Sequence, residues 1–123
     1  MPLIKTAVRI KEGEQHPTRY YSSRQEKAVC SATKSKQTSN SGATPFQKGD
    51  VLTDKFLLEC KTQTKNKDSF TLRKEWFTKN DREALFMGKP YSAVVFNFGP
   101  DEKNYYIIDE YLFTDFLDYL EKK

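Results

Sequence analysis

Two acids and a lysine, Asp50, Glu59 and Lys61, stand in the segment KGDVLTDKFLLECKT, which otherwise has the pattern of two short strands. Side chains alternate across a strand, so Glu59 and Lys61 share one face. If Asp54 and Lys55 form a two-residue hairpin turn, Asp50 lies directly opposite Glu59. Two opposed carboxylates destabilise a strand pair unless something neutralises them.

A divalent cation is the natural occupant of two converging carboxylates. Mg²⁺ held in this way keeps several waters and binds a substrate phosphate. It can generate hydroxide for in-line attack and stabilise the leaving oxygen. Lys61, on the same face, is placed to orient the attacking water and to offset charge in the transition state. The structural alternative is that Asp50 caps a strand while Glu59 and Lys61 form an exposed edge pair, and the spacing alone leaves both interpretations open.

The elements that would position these residues follow from hydrophobic periodicity and from start and stop signals. A capping box at Ser23 and Glu26 predicts the start of the first helix, and Gly88 with Pro90 predicts the end of the second. The last helix has an apolar stripe that we expect to face inward. The predicted order is a helix over 23–34, strands over 50–53 and 56–63, a helix over 72–87, strands over 91–98 and 104–109, and a helix over 110–122. This order predicts an α/β sandwich around a mixed sheet.

Length and composition favour one globular domain. The chain has 123 residues, of which 37% are hydrophobic and 14% aromatic, enough for a single core. No apolar run is long enough to span a membrane, and the N-terminus lacks the pattern of a secretory signal. The two cysteines, Cys30 and Cys60, fall in a helical and a strand pattern, which suggests reduced thiols in a cytosolic protein. One histidine gives little support to a zinc site, and the absence of a phosphate-binding loop gives none to ATP use.

Charge is distributed unevenly along the chain. Residues 1–48 carry nine Lys and Arg against three Asp and Glu, whereas residues 101–123 carry three against seven. A basic front and an acidic tail are typical of a protein with one surface facing a polyanion, although an uneven solvated surface gives the same totals. Residues 1–21 begin with a strand or a basic arm, and the polar, glycine-containing stretch 35–48 is predicted to be a mobile loop.

Several of these motifs together resemble a known nuclease group. Gly49-Asp50-Val51 followed by the E-x-K element in Leu57–Lys61 is similar to the signature of the PD-(D/E)xK nucleases, without its proline. The polar loop Asn40–Ala43 resembles the loop that precedes the aspartate in Holliday junction resolvases of the archaeal and phage kinds. Glu26 stands on the first predicted helix, where this group often has a glutamate.

The resemblance implies a restriction-endonuclease-like core, a central mixed β-sheet flanked by helices, in a single nuclease domain over 1–123. It implies phosphodiester hydrolysis with Mg²⁺, for which Mn²⁺ would substitute. Asp50 and Glu59 would bind the metal together with the main-chain carbonyl of Cys60. Lys61 would be the catalytic lysine, and Glu26 would reach the metal directly or through water.

A nuclease also needs cations and polar groups along the DNA backbone. The expected partner is DNA, branched or duplex, bound by a homodimer, because symmetric cuts across a junction need two active sites and one small domain has one. The expected location is the cytoplasm of a bacterium or of a phage-infected host. Alternatives are a duplex repair, nicking or restriction-like nuclease, and a non-cleaving DNA-binding protein. The predicted DNA contacts are Arg24, Lys27, Lys36, Asn40, Ser41, Lys48, Gln63 and Lys74.

Overall fold

Within the residues that the structure describes, the architecture is α/β, with a mixed sheet and three helices, as the sequence predicts. A computed structural model describes residues 16–37 and 50–122. Residues 1–15 of the predicted N-terminal strand or arm (1–21) and residues 38–48 of the predicted 35–48 loop lie outside the described residues. The arm prediction is wrong for residues 18–21, which are helical, and the loop prediction is wrong for Lys36–Gln37, which form a strand. None of the described helices is long and apolar enough to cross a membrane. The elements are α1 Thr18–Thr33, β1 Lys36–Gln37, β2 Asp50–Leu52, β3 Phe56–Lys61, α2 Lys74–Phe86, β4 Tyr91–Phe96, β5 Tyr105–Ile107 and α3 Glu110–Glu121.

The sheet has the spatial order β1-β2-β3-β4-β5. Its strands pair antiparallel except for β3 and β4, which run parallel and are joined by α2. A parallel pair needs a crossover connection, and a helix is the usual one. The two central strands therefore lie next to the helix that connects them, and α2 contacts both.

The β2–β3 hairpin has the register that the two-residue turn requires. Asp50 pairs with Glu59, so the predicted opposition of the two acids is confirmed. Asp-Lys is a weak turn signal by itself, and a residue of the connection between α2 and β4 stabilises this turn. The ammonium of Lys89 donates to the carbonyls of Thr53 at 2.8 Å and Asp54 at 3.1 Å.

Helix α1 begins five residues before the predicted start, so the capping-box interpretation of Ser23 and Glu26 is wrong. Pro17 precedes the helix with φ −60°, and its carbonyl accepts from the amide of Tyr20 at 2.9 Å. Proline suits a helix start because its φ is fixed and it has no N–H to satisfy. Tyr21 lies before the predicted start of the helix and is only 4% exposed, so burial of its ring favours a helix that begins earlier than predicted.

The two faces of the sheet are covered by different helices. Val29 of α1 packs with Val51 and Leu58 in the main core, which also includes Ala93 and Val95. By alternation along the strand, Glu59 faces the other side, where α2 packs. The predicted end of α2 is confirmed: Gly88 follows it with φ +75°.

Against the described residues, the apolar stripe of α3 does not face inward as predicted. The helix begins as its sequence dictates, with the Asp109 carboxylate accepting from the Leu112 amide at 2.9 Å. None of its residues is buried by the described part of the chain. Phe113 and Phe116 are each 50% exposed and Leu120 is 55% exposed. Periodicity identifies an apolar stripe but does not say which surface covers it.

Gly99 is expected to tolerate substitution much less well than Gly88. A Cβ at Gly99 would clash with Oδ1 of Asn66 and lie 2.5 Å from its Cα, and φ there is +152°. Gly88 also has a positive φ, but nothing lies within 4 Å of its Cβ position. We expect Gly99→Ala to lower the free energy of unfolding by about 3 kcal/mol or more and Gly88→Ala by about 1 kcal/mol. Urea unfolding measures both, and equal losses would contradict the close approach.

Candidate functional site

Three carboxylates meet on the α2 face of the sheet. One oxygen each of Asp50, Glu59 and Glu83 lies within 4.8 Å of the others, and we call these residues the carboxylate cluster. Asp50 is 2% exposed, whereas Glu59 and Glu83 keep 16% of their side chains exposed. The cluster thus has a buried acid at its base and two acids that reach solvent.

Glu83 is the site residue that the sequence reasoning missed. It lies on α2, seven residues after Trp76 and one before the buried Ala84. Positions seven apart in a helix share one face, so Glu83 is in line with Trp76, and the signal was an acid on the apolar side of a predicted helix. That signal could have been used only with the knowledge that this face of α2 meets Asp50.

The Asp50 carboxyl is neutral at pH 7 in the structure as it stands. Its pKa is raised to about 9. The largest cause is burial, followed by a hydrogen bond to Glu59 and the charges of Glu59 and Glu83. The charge of Lys79 opposes this rise but does not cancel it. Without a cation, the neutral Asp50 carboxyl is hydrogen-bonded to Glu59, and this reduces the repulsion between the two opposed acids.

Lys61 has two interactions on the same face. Its ammonium lies 3.1 Å from Glu59 Oε2 and 4.7 Å from the centroid of the Trp76 ring. The side chain is 29% exposed, so the ammonium is partly accessible to a ligand. The predicted juxtaposition of Asp50, Glu59 and Lys61 on one face is thus present.

A cleft of about 340 Å³ opens between β3 and α2 beside these groups. Its walls combine the E-x-K residues with two further cations from α2, Lys79 and Arg82. Lys79 lies 3.8 Å from Glu83 Oε2, a long ion pair on the surface. The cleft is lined by Glu59, Lys61, Glu75, Trp76, Thr78, Lys79 and Arg82.

Glu26 is not part of the carboxylate cluster. It is 1% exposed on α1 and accepts from Arg19 at 3.2 and 3.4 Å. Burial and then the charge of Glu26 raise the pKa of the Cys60 thiol, which places Glu26 near the α1 side of β3. Its predicted reach to a metal, and the role of the Cys60 carbonyl as a ligand, stay predictions. Neither Cys30 nor Cys60 is in a disulfide.

The end of β3 is tied to α1 and to the loop after β4. The side-chain amide of Gln25 donates to the Lys61 carbonyl at 2.7 Å and to the Asn104 side chain at 3.2 Å. Gln63, predicted to face DNA, donates to the carbonyls of Ser69 and Phe98, each at 3.1 Å. These bonds fix the backbone that carries Lys61.

The other predicted DNA contacts are spread over several elements. Arg24 donates to Asp101 Oδ1 at 2.7 Å, and Lys27 is exposed on α1. Lys74 is exposed at the first turn of α2, near the cleft in sequence. Lys36 lies on β1, and its side chain is not described. Asn40, Ser41 and Lys48 lie outside the described residues.

A scan against protein-family models, a search of curated proteins and a search of solved structures found no match to this chain. The resemblance to the PD-(D/E)xK nucleases therefore rests on the motif residues and their order. The structure supplies the arrangement of those residues in space.

Proposed function

We propose that this protein is a metal-dependent DNA endonuclease with a restriction-endonuclease-like core, which cleaves branched DNA in the manner of a Holliday junction resolvase. The observation that carries the proposal is the pairing of Asp50 with Glu59, with Lys61 on the same face. A mixed sheet with α1 and α2 on opposite faces is compatible with that core.

The donor set of the carboxylate cluster fits a hard divalent cation. It offers only oxygens, from three acids within 4.8 Å of one another, and no thiolate or imidazole. Mg²⁺ and Mn²⁺ prefer such ligands. Asp50 and Glu59 would hold the ion, with Glu83 as a third carboxylate. When bound, the ion would supply a nucleophile at neutral pH and charge for the leaving oxygen.

The remaining work falls to side chains of the cleft. Lys61 donates toward the non-bridging oxygens of the scissile phosphate and offsets the charge that develops there. Glu59, whose ion pair with Lys61 is then weaker, remains beside the Lys61 ammonium. Lys79 and Arg82 extend the positive rim of the cleft along the backbone of the bound strand.

The proposed assembly is a homodimer. A four-way junction presents two strands of like polarity that must both be cut, and the described part of the chain carries one carboxylate cluster. Two-fold symmetry of the protein would match that of the junction.

The test is cleavage of a four-way junction, a matched duplex and single strands, with Mg²⁺ or with EDTA. Symmetric junction cuts that are lost in EDTA and in Glu59→Gln are the expected result. The matched control is Glu102→Gln, an exposed acid in the loop before β5. If the duplex were cut equally well, the proposed substrate would be duplex DNA and not a junction. Tight DNA binding with no cleavage in Mg²⁺ or Mn²⁺ would overturn the enzyme assignment.

A further inference from the structure

The contact between Lys61 and Trp76 points to a role for an aromatic ring in the cleft. The ammonium lies 4.7 Å from the ring centroid, within the range of a cation–π interaction. Trp76 lines the cleft together with Glu59 and Lys61 and is half-buried. Among aromatic side chains, indole attracts a cation most strongly.

A lysine side chain has four rotatable methylenes and does not hold a fixed position by itself. Its ion pair with Glu59 at 3.1 Å is one constraint. That constraint weakens whenever Glu59 shares its charge with a bound cation, because the ammonium and the cation then compete for one carboxylate. The attraction of the ring does not depend on the charge of Glu59.

We propose that Trp76 is the positioning residue for Lys61, holding its ammonium over the cleft when Glu59 is engaged by the metal. The inference rests on the proposed nuclease function and adds a residue that the motif does not contain. Trp76 acts through Lys61, so its removal lowers kcat and leaves KM for DNA nearly unchanged. We expect Trp76→Leu to lower kcat roughly 5- to 30-fold.

The protein offers a sharper experiment than side-chain truncation, because Trp76 is its only tryptophan. Growth on mono-, di- and trifluorotryptophan weakens the negative face of this one ring while almost preserving its shape. A positioning role predicts a stepwise fall in kcat with each added fluorine, at constant KM and constant urea midpoint. Trp76→Phe should recover part of the kcat that Trp76→Leu loses.

The matched control is Tyr105→Leu, which removes the ring under a second lysine, Lys103, at 5.4 Å on the β5 side. It should leave kcat unchanged at equal folded fraction. If fluorination leaves kcat constant while Trp76→Leu lowers it, Trp76 is only a packing residue and the inference is wrong. Failure of the proposed function has a different signature, because the wild-type protein would then cleave none of the DNA substrates.

Discussion

Lys61→Met is expected to lower the rate of metal-dependent DNA cleavage by about 10² to 10³-fold. Methionine keeps an unbranched apolar stem of similar length against Trp76, so the change removes chiefly the charge and the donors. Loss of one preorganised donor at a developing anionic centre typically has an effect of this size. Single-turnover cleavage with saturating protein measures the chemical step separately from binding.

Lys103→Met provides the control for this prediction. Lys103 also lies over an aromatic ring, that of Tyr105, but outside the cleft. The Lys103→Met protein should cleave DNA at the wild-type rate. A Lys61→Met protein that retains full kcat and binds DNA more weakly would show that Lys61 is a backbone contact and has no role in the chemistry.

Asp50→Asn is expected to stabilise the metal-free protein at high pH while it abolishes stabilisation by Mg²⁺. The pKa of the Asp50 carboxyl rises from its ordinary 3.8 to about 9 on folding, mainly through burial. Between these two values the folded protein binds a proton that the unfolded chain has released. Stability in EDTA must therefore fall as pH rises through this window, by up to about 1 kcal/mol per pH unit from this group.

An asparagine at position 50 has no such proton, so the pH dependence from this position disappears. Urea unfolding in EDTA from pH 5 to pH 9 should show the mutant gaining on the wild type as pH increases. Asp54→Asn, at an aspartate with 95% of its side chain exposed, should follow the wild type. Added Mg²⁺ should raise the unfolding midpoint of the wild type and leave that of Asp50→Asn unchanged. Parallel pH profiles for Asp50→Asn and wild type would contradict the buried, neutral acid.

The parts of the site that the sequence predicted are those set by local geometry. Strand alternation and a two-residue turn fix the relation of Asp50, Glu59 and Lys61 within a dozen residues, and no distant element has to be known. The C-terminal end of α2 was equally local, since Gly88 takes a conformation that favours glycine. The α/β class followed from the order of such local patterns.

The parts that the sequence did not predict depend on how elements pack. Glu83 enters the carboxylate cluster only because α2 crosses the face that bears Glu59, which no local pattern specifies. The first five residues of α1 were not predicted, because the capping box at Ser23 was taken as the start signal instead of Pro17. The apolar stripe of α3 shows the same limit, because an apolar pattern does not specify which surface covers it.

The contacts of Lys89 mean that the site depends on the folding of the chain as far as β4. The turn between Asp50 and Glu59 is bonded from outside by Lys89, just before β4, and by the Tyr91 amide, which donates to the Lys55 carbonyl at 3.1 Å. Residues more than thirty positions downstream thus stabilise the alignment of the acids. A chain ending before β4 would contain the whole E-x-K segment and lack the bonds that set its register. Cation affinity should accordingly be lost cooperatively with the fold, in one transition.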